Sequence, residues 1–356
     1  MEVGRKMYRV KIGGKWIGDG EPCFIIAEAG INHNGEITLA RQLIDEAKKA
    51  GADAVKFQTF KSEGVMTASA EMAVYQKKNL GKTQSQIEMV KKYEFEYETF
   101  KELKKYCDDR GIVFLSTPHS YDAIDFLDPL VPAYKIGSGD LTNLPAIEEI
   151  GKKGKPVLIS TGMATLEEIQ EAIETVRNVG NEQIVLLQCV TNYPADLKDQ
   201  NLRTIRTMRD EYDVLTGFSD HTVGTMAAII AVSLGACIIE KHFTLSRNLP
   251  GPDHKASMEP QELEELVELI RNADIALGDG LKKPTKTETE IAAVTRKSLV
   301  ASTNIPKGTI ITKDMIAIKR PGTGMKPSRL KDVIGKRARE SIQRDDVLHE
   351  NMISLE

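Results

Sequence analysis

At 356 residues the chain exceeds the usual ~100 to 200 of one domain, which excludes a single small module. Hydrophobic residues make up 41%, charged residues 28% and aromatics 5%, a composition that excludes disorder, collagen and a disulfide scaffold. The net charge of −4 predicts no special affinity for nucleic acid or membrane, yet it is uneven: residues 296–356 hold 13 Lys/Arg against 7 Asp/Glu, a net of +6, leaving 35 against 45, a net of −10, for residues 1–295.

The opening MEVGRKMYRV has positive charges but no apolar stretch after them, so no secretory signal is expected. Cys23, Cys107, Cys189 and Cys237 form no Cys-x-x-Cys pair and lie mostly in apolar runs, as reduced structural thiols in a cytoplasm would. Eight short β-rich runs then follow in order: CFIIAEA (23–29), DAVKFQ (53–58), IVFLSTP (112–118), AYKIGS (133–138), PVLIST (156–161), IVLLQC (184–189), VLTGFS (214–219) and CIIEKHF (237–243). Helical spacing fills the gaps, as at Leu39, Leu43 and Ala47, or Leu166, Ile169, Ile173 and Val176, with Thr165 and Glu168 set for a capping box. Residues 222–239 run without a charge, at the edge of membrane-spanning length, but their Thr, Ser and Gly content predicts a buried helix, a glycine break and a strand.

Eight strands alternating with helices over roughly 250 residues predict an α/β fold, a (β/α)8 TIM barrel. A doubly wound sheet is the alternative, but no Gly-x-Gly-x-x-Gly follows the first strand. Two long connections depart from the barrel pattern. Residues 59–93 read as a substrate loop or lid, or as a pair of short surface helices, and residues 244–258 carry the Pro/Gly loop NLPGPDHKAS. The division expected is a catalytic barrel over 1–280, a linker over 281–295 overlapping the polar stretch GDGLKKPTKTETE at 278–290, and a small β-rich module over 296–356.

Barrel active sites lie at the C-terminal strand ends, so polar residues there are candidates for function. Alternation puts Lys56 and Gln58 on one face of their strand, and Lys135 interrupts another apolar run. A buried lysine needs an anion, so two facing one mouth imply a bound phosphate or carboxylate. The alternative is a Lys–Glu pair within the barrel, with Glu28 the nearest candidate. Thr117, Ser138, Ser160 and Thr161 add hydroxyls at strand ends. FSDH and EKHF bring His221 and His242 onto adjacent strands ~4.8 Å apart, where two imidazoles can ligate one divalent metal. His33, His119, His254 and His349 have no such neighbouring histidine and receive no ligand role. Glu28 could order a water, hold a sugar hydroxyl, act as base, or merely neutralise Lys56.

AEAGINHNG, VKFQ, KIGSGD, STGM, YPA, GFSDHT, EKHF and PGPDHKAS, in this order and joined to a tail with IPKGT and KRPGTG, make the chain resemble the sialic acid synthase family over nearly its whole length. The tail resembles the SAF, or antifreeze-like, domain. The resemblance implies condensation of phosphoenolpyruvate with N-acetylmannosamine or a related N-acyl amino sugar, giving a nine-carbon 2-keto sugar acid and phosphate. A diacetamido-trideoxy hexose, leading to legionaminic or pseudaminic acid, is the alternative substrate. It further implies Mn²⁺ or Mg²⁺ on His221 and His242, and a domain-swapped homodimer in which each tail covers the partner's barrel. Lys56, Thr117, Lys135, Ser138 and Ser219 then correspond to the phosphoenolpyruvate pocket. Glu28, Gln58, Tyr193 and Asp253 correspond to sugar-handling positions, and Arg320 to the tail arginine that reaches the partner's site. Thr191 stands where other members carry Asn or Ser, and Asp140 where some carry Glu. Glu28, Lys56 and Lys135 are the expected catalytic groups. Two rival readings are a Schiff-base pyruvate aldolase using a buried lysine and a non-catalytic sugar-binding barrel.

Overall fold

The computed structural model describes residues 7–67, 70 and 85–354. The chain divides into two compact units, residues 1–279 and 280–356.

The first unit opens with an antiparallel hairpin of β1 (Arg9–Ile12) and β2 (Lys15–Gly18) that the sequence reading passed over. Its signal is VKIGGKWI: alternating apolar residues around Gly13 and Gly14, whose φ of 56° and 88° suit the tight turns glycine favours. The eight runs then form β3 (Phe24–Gly30), β4 (Ala54–Thr59), β5 (Val113–Pro118), β6 (Tyr134–Ile136), β7 (Val157–Ser160), β8 (Ile184–Cys189), β9 (Leu215–Asp220) and β10 (Ile238–His242). They pair in parallel in the order β5-β4-β3-β10-β9-β8-β7-β6, and the two end strands come alongside each other to close a TIM barrel.

Alternation divides each strand between two environments. Ile25, Ala27, Val55, Phe57 and Phe114 pack outward among the helices. Phe24, Ile26, Ala54, Leu115, Leu158, Val185, Leu187, Leu215 and Ile238 pack inward with Val10, Ile12 and Ile17 of the hairpin, which plugs the lower end. Asp53, 8% exposed, ties the plug down by meeting Lys15 at 2.5 Å, Arg271 at 2.7 Å and the Ile25 amide at 2.8 Å.

The Thr165–Glu168 capping box forms as expected, opening the helix Leu166–Asn178. Residues 222–239 fold as helix Met226–Ser233 followed by β10, but the helix is only half buried: Met226 and Ile230 are exposed. Of the long connection 59–93, helices Ser62–Val65 and Gln86–Val90 are described, while residues 68–69 and 71–84 fall outside the described residues. Among the described residues no helix is long and apolar enough to cross a membrane.

In the second unit the segment expected as linker contains a helix, Lys286–Thr295, started by a Thr285–Glu288 capping box that the polar composition concealed. Strands β11 (Ser298–Ala301) and β12 (Ile316–Lys319) pair antiparallel. Leu299, Ile305, Ile311, Met325, Val333, Ile342, Leu348 and Ile353 form its own small core. Arg320 follows β12, exposed, before a cis bond to Pro321.

Candidate active site

Above the apolar layer, the same inward face turns polar. The alternation that buries Ile26, Ala54 and Ile238 two residues earlier delivers Glu28, Lys56 and Glu240 into the barrel. Lys135 of β6 joins them, and all four are at most 4% exposed.

Their contacts form one network. Lys56 Nζ lies 2.7 Å from Glu28 Oε2 and donates to Thr117 Oγ1 at 3.0 Å. Gln58 Nε2 donates to Glu28 Oε1 at 3.2 Å. Lys135 Nζ donates to Ser160 Oγ at 2.8 Å and to the Ile136 carbonyl at 3.1 Å. Glu240 Oε1 stands 3.8 Å from both ammonium groups and accepts from Ser219 Oγ at 3.2 Å. The Lys–Glu pair weighed as an alternative to an anion site is therefore present, and a second carboxylate bridges the two lysines.

The two carboxyls are driven in opposite directions. Burial pushes Glu28 up to about 7, against the pull of Lys56. Burial also raises Glu240, but Lys135 and Lys56 outweigh it and hold that carboxyl below its ordinary range. Lys135 goes down, because burial exceeds the support of Glu240. Paired acids pushed apart in this way can divide labour: Glu240 stays an anion, while Glu28 can exchange a proton near neutral pH.

Above this layer stand the two histidines, with ring centroids 5.4 Å apart. His221 Nδ1 lies 2.8 Å from the Val190 carbonyl, which can only accept, so Nδ1 carries a proton; burial lowers the group, but Cys189, Val190 and Glu240 outweigh it and raise it above its ordinary range. Burial, then His221 and the lysines, pushes His242 well below its ordinary range, which keeps it neutral; its buried Nδ1 has no hydrogen-bond partner among the described residues. Two imidazoles on adjacent strands, once both are deprotonated at the ligating nitrogen, suit a divalent cation that keeps positions open for other ligands. Among the described residues no group of three or more His, Cys, Asp and Glu is arranged to hold a metal.

Tyr193 packs over His221 at 4.0 Å and edge-on to His242 at 5.2 Å. Asp253 is 8% exposed, its carboxyl pushed up to about 6 by burial with His221 pulling it back. Ser138 Oγ accepts from the Gly162 amide at 3.1 Å, and a Cβ on Gly162 would fall 2.6 Å from that hydroxyl and collide with Thr191 Oγ1. Glycine at this position leaves room for both hydroxyls. Thr191 Oγ1 is buried without a hydrogen-bond partner among the described residues.

Every barrel residue singled out from the sequence thus lies at or near one mouth. Arg320 belongs to the other unit. Glu240 was missed, although the alternation that selected His242 also selects it, two residues earlier in EKH. Cys189, read as a structural thiol, stands 3.8 Å from His221 Nδ1. His119 pairs with Asp140 at 2.9 Å. His254 is structural: Nδ1 meets Thr244 Oγ1 at 2.6 Å and Nε2 meets Asn34 Oδ1 at 3.0 Å, joining the loops after β3 and β10.

Residues 43–282 match the NeuB family. The chain belongs to that family. Residues 296–354 match the SAF domain, which accounts for the separate second unit. The chain is 45% identical over 325 residues to the N,N'-diacetyllegionaminic acid synthase of Legionella pneumophila, covering 90% of this chain and 91% of that one. It is 37% identical over 344 residues to the human N-acetylneuraminate-9-phosphate synthase, covering 96% and 95%. Among solved structures it resembles the N-acetylneuraminic acid (sialic acid) synthetase of Leptospira borgpetersenii in complex with citrate, with TM-score 0.72 and 34% identity over 81% of this chain and 96% of that one.

Proposed function

We propose that this NeuB-family protein condenses phosphoenolpyruvate with an N-acyl amino sugar to give a nine-carbon 2-keto sugar acid and phosphate. The observation that carries the reading is the stack inside the barrel: Lys56 and Lys135 sharing Glu240, beneath His221 and His242 on adjacent strands. A trianion needs buried cations, and an aldehyde needs an electrophilic activator beside them.

In this reading Lys56 and Lys135 bind the phosphate and carboxylate of phosphoenolpyruvate, and the hydroxyls of Thr117, Ser138, Thr191 and Ser219 complete the pocket. They hold C3 of the enol ester against the sugar's aldehyde carbon, where the new carbon–carbon bond forms. A divalent cation, Mn²⁺ or Mg²⁺, would be held by His221 and His242 and would polarise the aldehyde oxygen. Gln58, Tyr193 and Asp253 orient the sugar. Glu28, with its carboxyl near neutral pH, accepts a proton from the water that adds to C2, while the former aldehyde oxygen takes up a proton and becomes the new hydroxyl. The C2–O bond to phosphate then breaks, the C2 hydroxyl loses its proton to the departing phosphate, and C2 is left as the ketone. The homodimer, with Arg320 of one copy serving the other's sugar, belongs to the same reading and rests on family membership. The higher identity to a diacetyllegionaminic acid synthase favours a diacetamido-trideoxy hexose over N-acetylmannosamine or its 6-phosphate.

The test is phosphate release from phosphoenolpyruvate with each of these sugars, followed by product mass. Chelation by EDTA is expected to abolish turnover and Mn²⁺ to restore it; full activity in metal-free enzyme would remove the cation from the reading. Borohydride with substrate separates the aldolase alternative, which would be trapped as a reduced imine and inactivated.

A further inference from the structure

The rung that carries the two histidines has a second side. Asp220 and Lys241 are paired across β9 and β10, one residue before His221 and His242 respectively. Side-chain alternation therefore sends the imidazoles into the barrel and this acid–base pair outward, beneath the surrounding helices. Both residues are 1% exposed.

Lys241 uses all three of its N–H donors. Nζ donates to Asp220 Oδ2 at 2.7 Å, to the Thr222 carbonyl at 2.5 Å and to the Gly224 carbonyl at 3.1 Å. Asp220 Oδ1 accepts from the Thr222 amide at 2.7 Å. The ammonium thus gathers the end of β9 and the loop leaving it onto β10, and His221 lies within the gathered segment. That residue is tied on its other side as well, where its carbonyl accepts from the Ala195 amide at 2.9 Å and Nδ1 meets Val190. His242, by contrast, is the last residue of β10 and is held by the strand itself.

Packing alone does not call for a charge here. A methionine fills a similar volume, and replacing a buried ion pair by apolar groups is often neutral for stability. What methionine lacks is the ability to bind three oxygens from Asp220, Thr222 and Gly224, and so to fix the loop bearing one imidazole relative to the strand bearing the other. We propose that Lys241 and Asp220 are positioning residues that set the separation of His221 and His242, and through it the affinity for a divalent cation. The inference rests on the reading that these histidines hold the cation.

The experiment is calorimetric titration of the full chain, freed of metal, with Mn²⁺ and no other ligand. Lys241→Met and Asp220→Asn are expected to weaken Mn²⁺ binding about ten- to a hundred-fold, the range typical of groups that orient metal ligands. Leu158→Ala, in the apolar lower layer, is expected to lower the melting temperature and leave Mn²⁺ affinity unchanged, which separates positioning from general loss of stability. With Co²⁺ as probe, the visible spectrum is expected to change in Lys241→Met and not in Leu158→Ala. Should Lys241→Met fail to fold, Asp220→Asn, equal in shape and lacking the charge, decides the matter. Wild-type Mn²⁺ affinity in a folded Asp220→Asn or Lys241→Met chain would overturn the proposal. Wild-type affinity in His221→Ala would instead overturn the underlying assignment of the cation to the histidine pair.

Discussion

The lower and upper halves of the barrel interior are built from the same strands and differ in almost everything else. Below, Ile26, Ala54, Leu158 and Ile238 meet the hairpin residues Val10, Ile12 and Ile17 in a layer of hydrocarbon. Two residues further along, Glu28, Lys56, Ser160 and Glu240 occupy the same face. The lower layer gains free energy by leaving water, while the upper layer spends some of it on desolvating charges. A barrel can sustain a dense polar layer because the plugged end and the outward-facing core hold the strands in place.

Three variants, one double and two single, would break or sharpen that contrast, in decreasing order of effect. Converting Lys56→Met and Glu28→Gln together removes the ion pair without stranding a charge. Turnover is expected to fall at least about a thousand-fold, the scale of a lost charge-stabilising group, with the melting temperature nearly unchanged. Steady-state kinetics and calorimetric melting would check both halves of the statement. Ile17→Ala in the plug is the mirror case. It is expected to cost about 2–5 kcal/mol in urea unfolding while the kcat/KM of folded protein stays the same. A large kinetic effect would show that the plug shapes the mouth.

The smallest effect concerns His254, buried in the contact between the loops after β3 and β10. Burial depresses it to about 4. A group depressed in this sense contributes stability above its unfolded value of about 6.5 and loses it as the pH falls through about 4. His254→Gln should therefore flatten the stability profile over that window and shift it above pH 7 only by an offset that does not vary with pH, as read by melting temperature against pH.

Much of this was legible in sequence because strands repeat every two residues. KFQ and YKI announced the lysines, and FSDH and EKH the histidine pair, since each polar residue falls at a fixed interval from an apolar one on the same face. The hairpin is hard to read because its strands are four residues each, too short for alternation around Gly13 and Gly14 to stand out. The helix Lys286–Thr295 was hidden by polar composition, because its start depends on a Thr285–Glu288 cap and not on an apolar face. Glu240 went unnoticed for a different reason: the run CIIEKHF contains it openly, but nothing within one strand says which neighbours a carboxylate will meet.

The sequence by itself determined the order of the strands, the side each residue faces and the family to which the chain belongs. Those follow from periodicities and motifs local to each segment. Only the tertiary structure decided that one carboxylate bridges Lys56 and Lys135, that Glu28 and not Glu240 is raised toward neutral pH, and that Lys241 binds the loop behind His221. These depend on how far eight strands are staggered around a closed barrel, which sets which side chains share a level, and electrostatic energies vary with those distances and with burial.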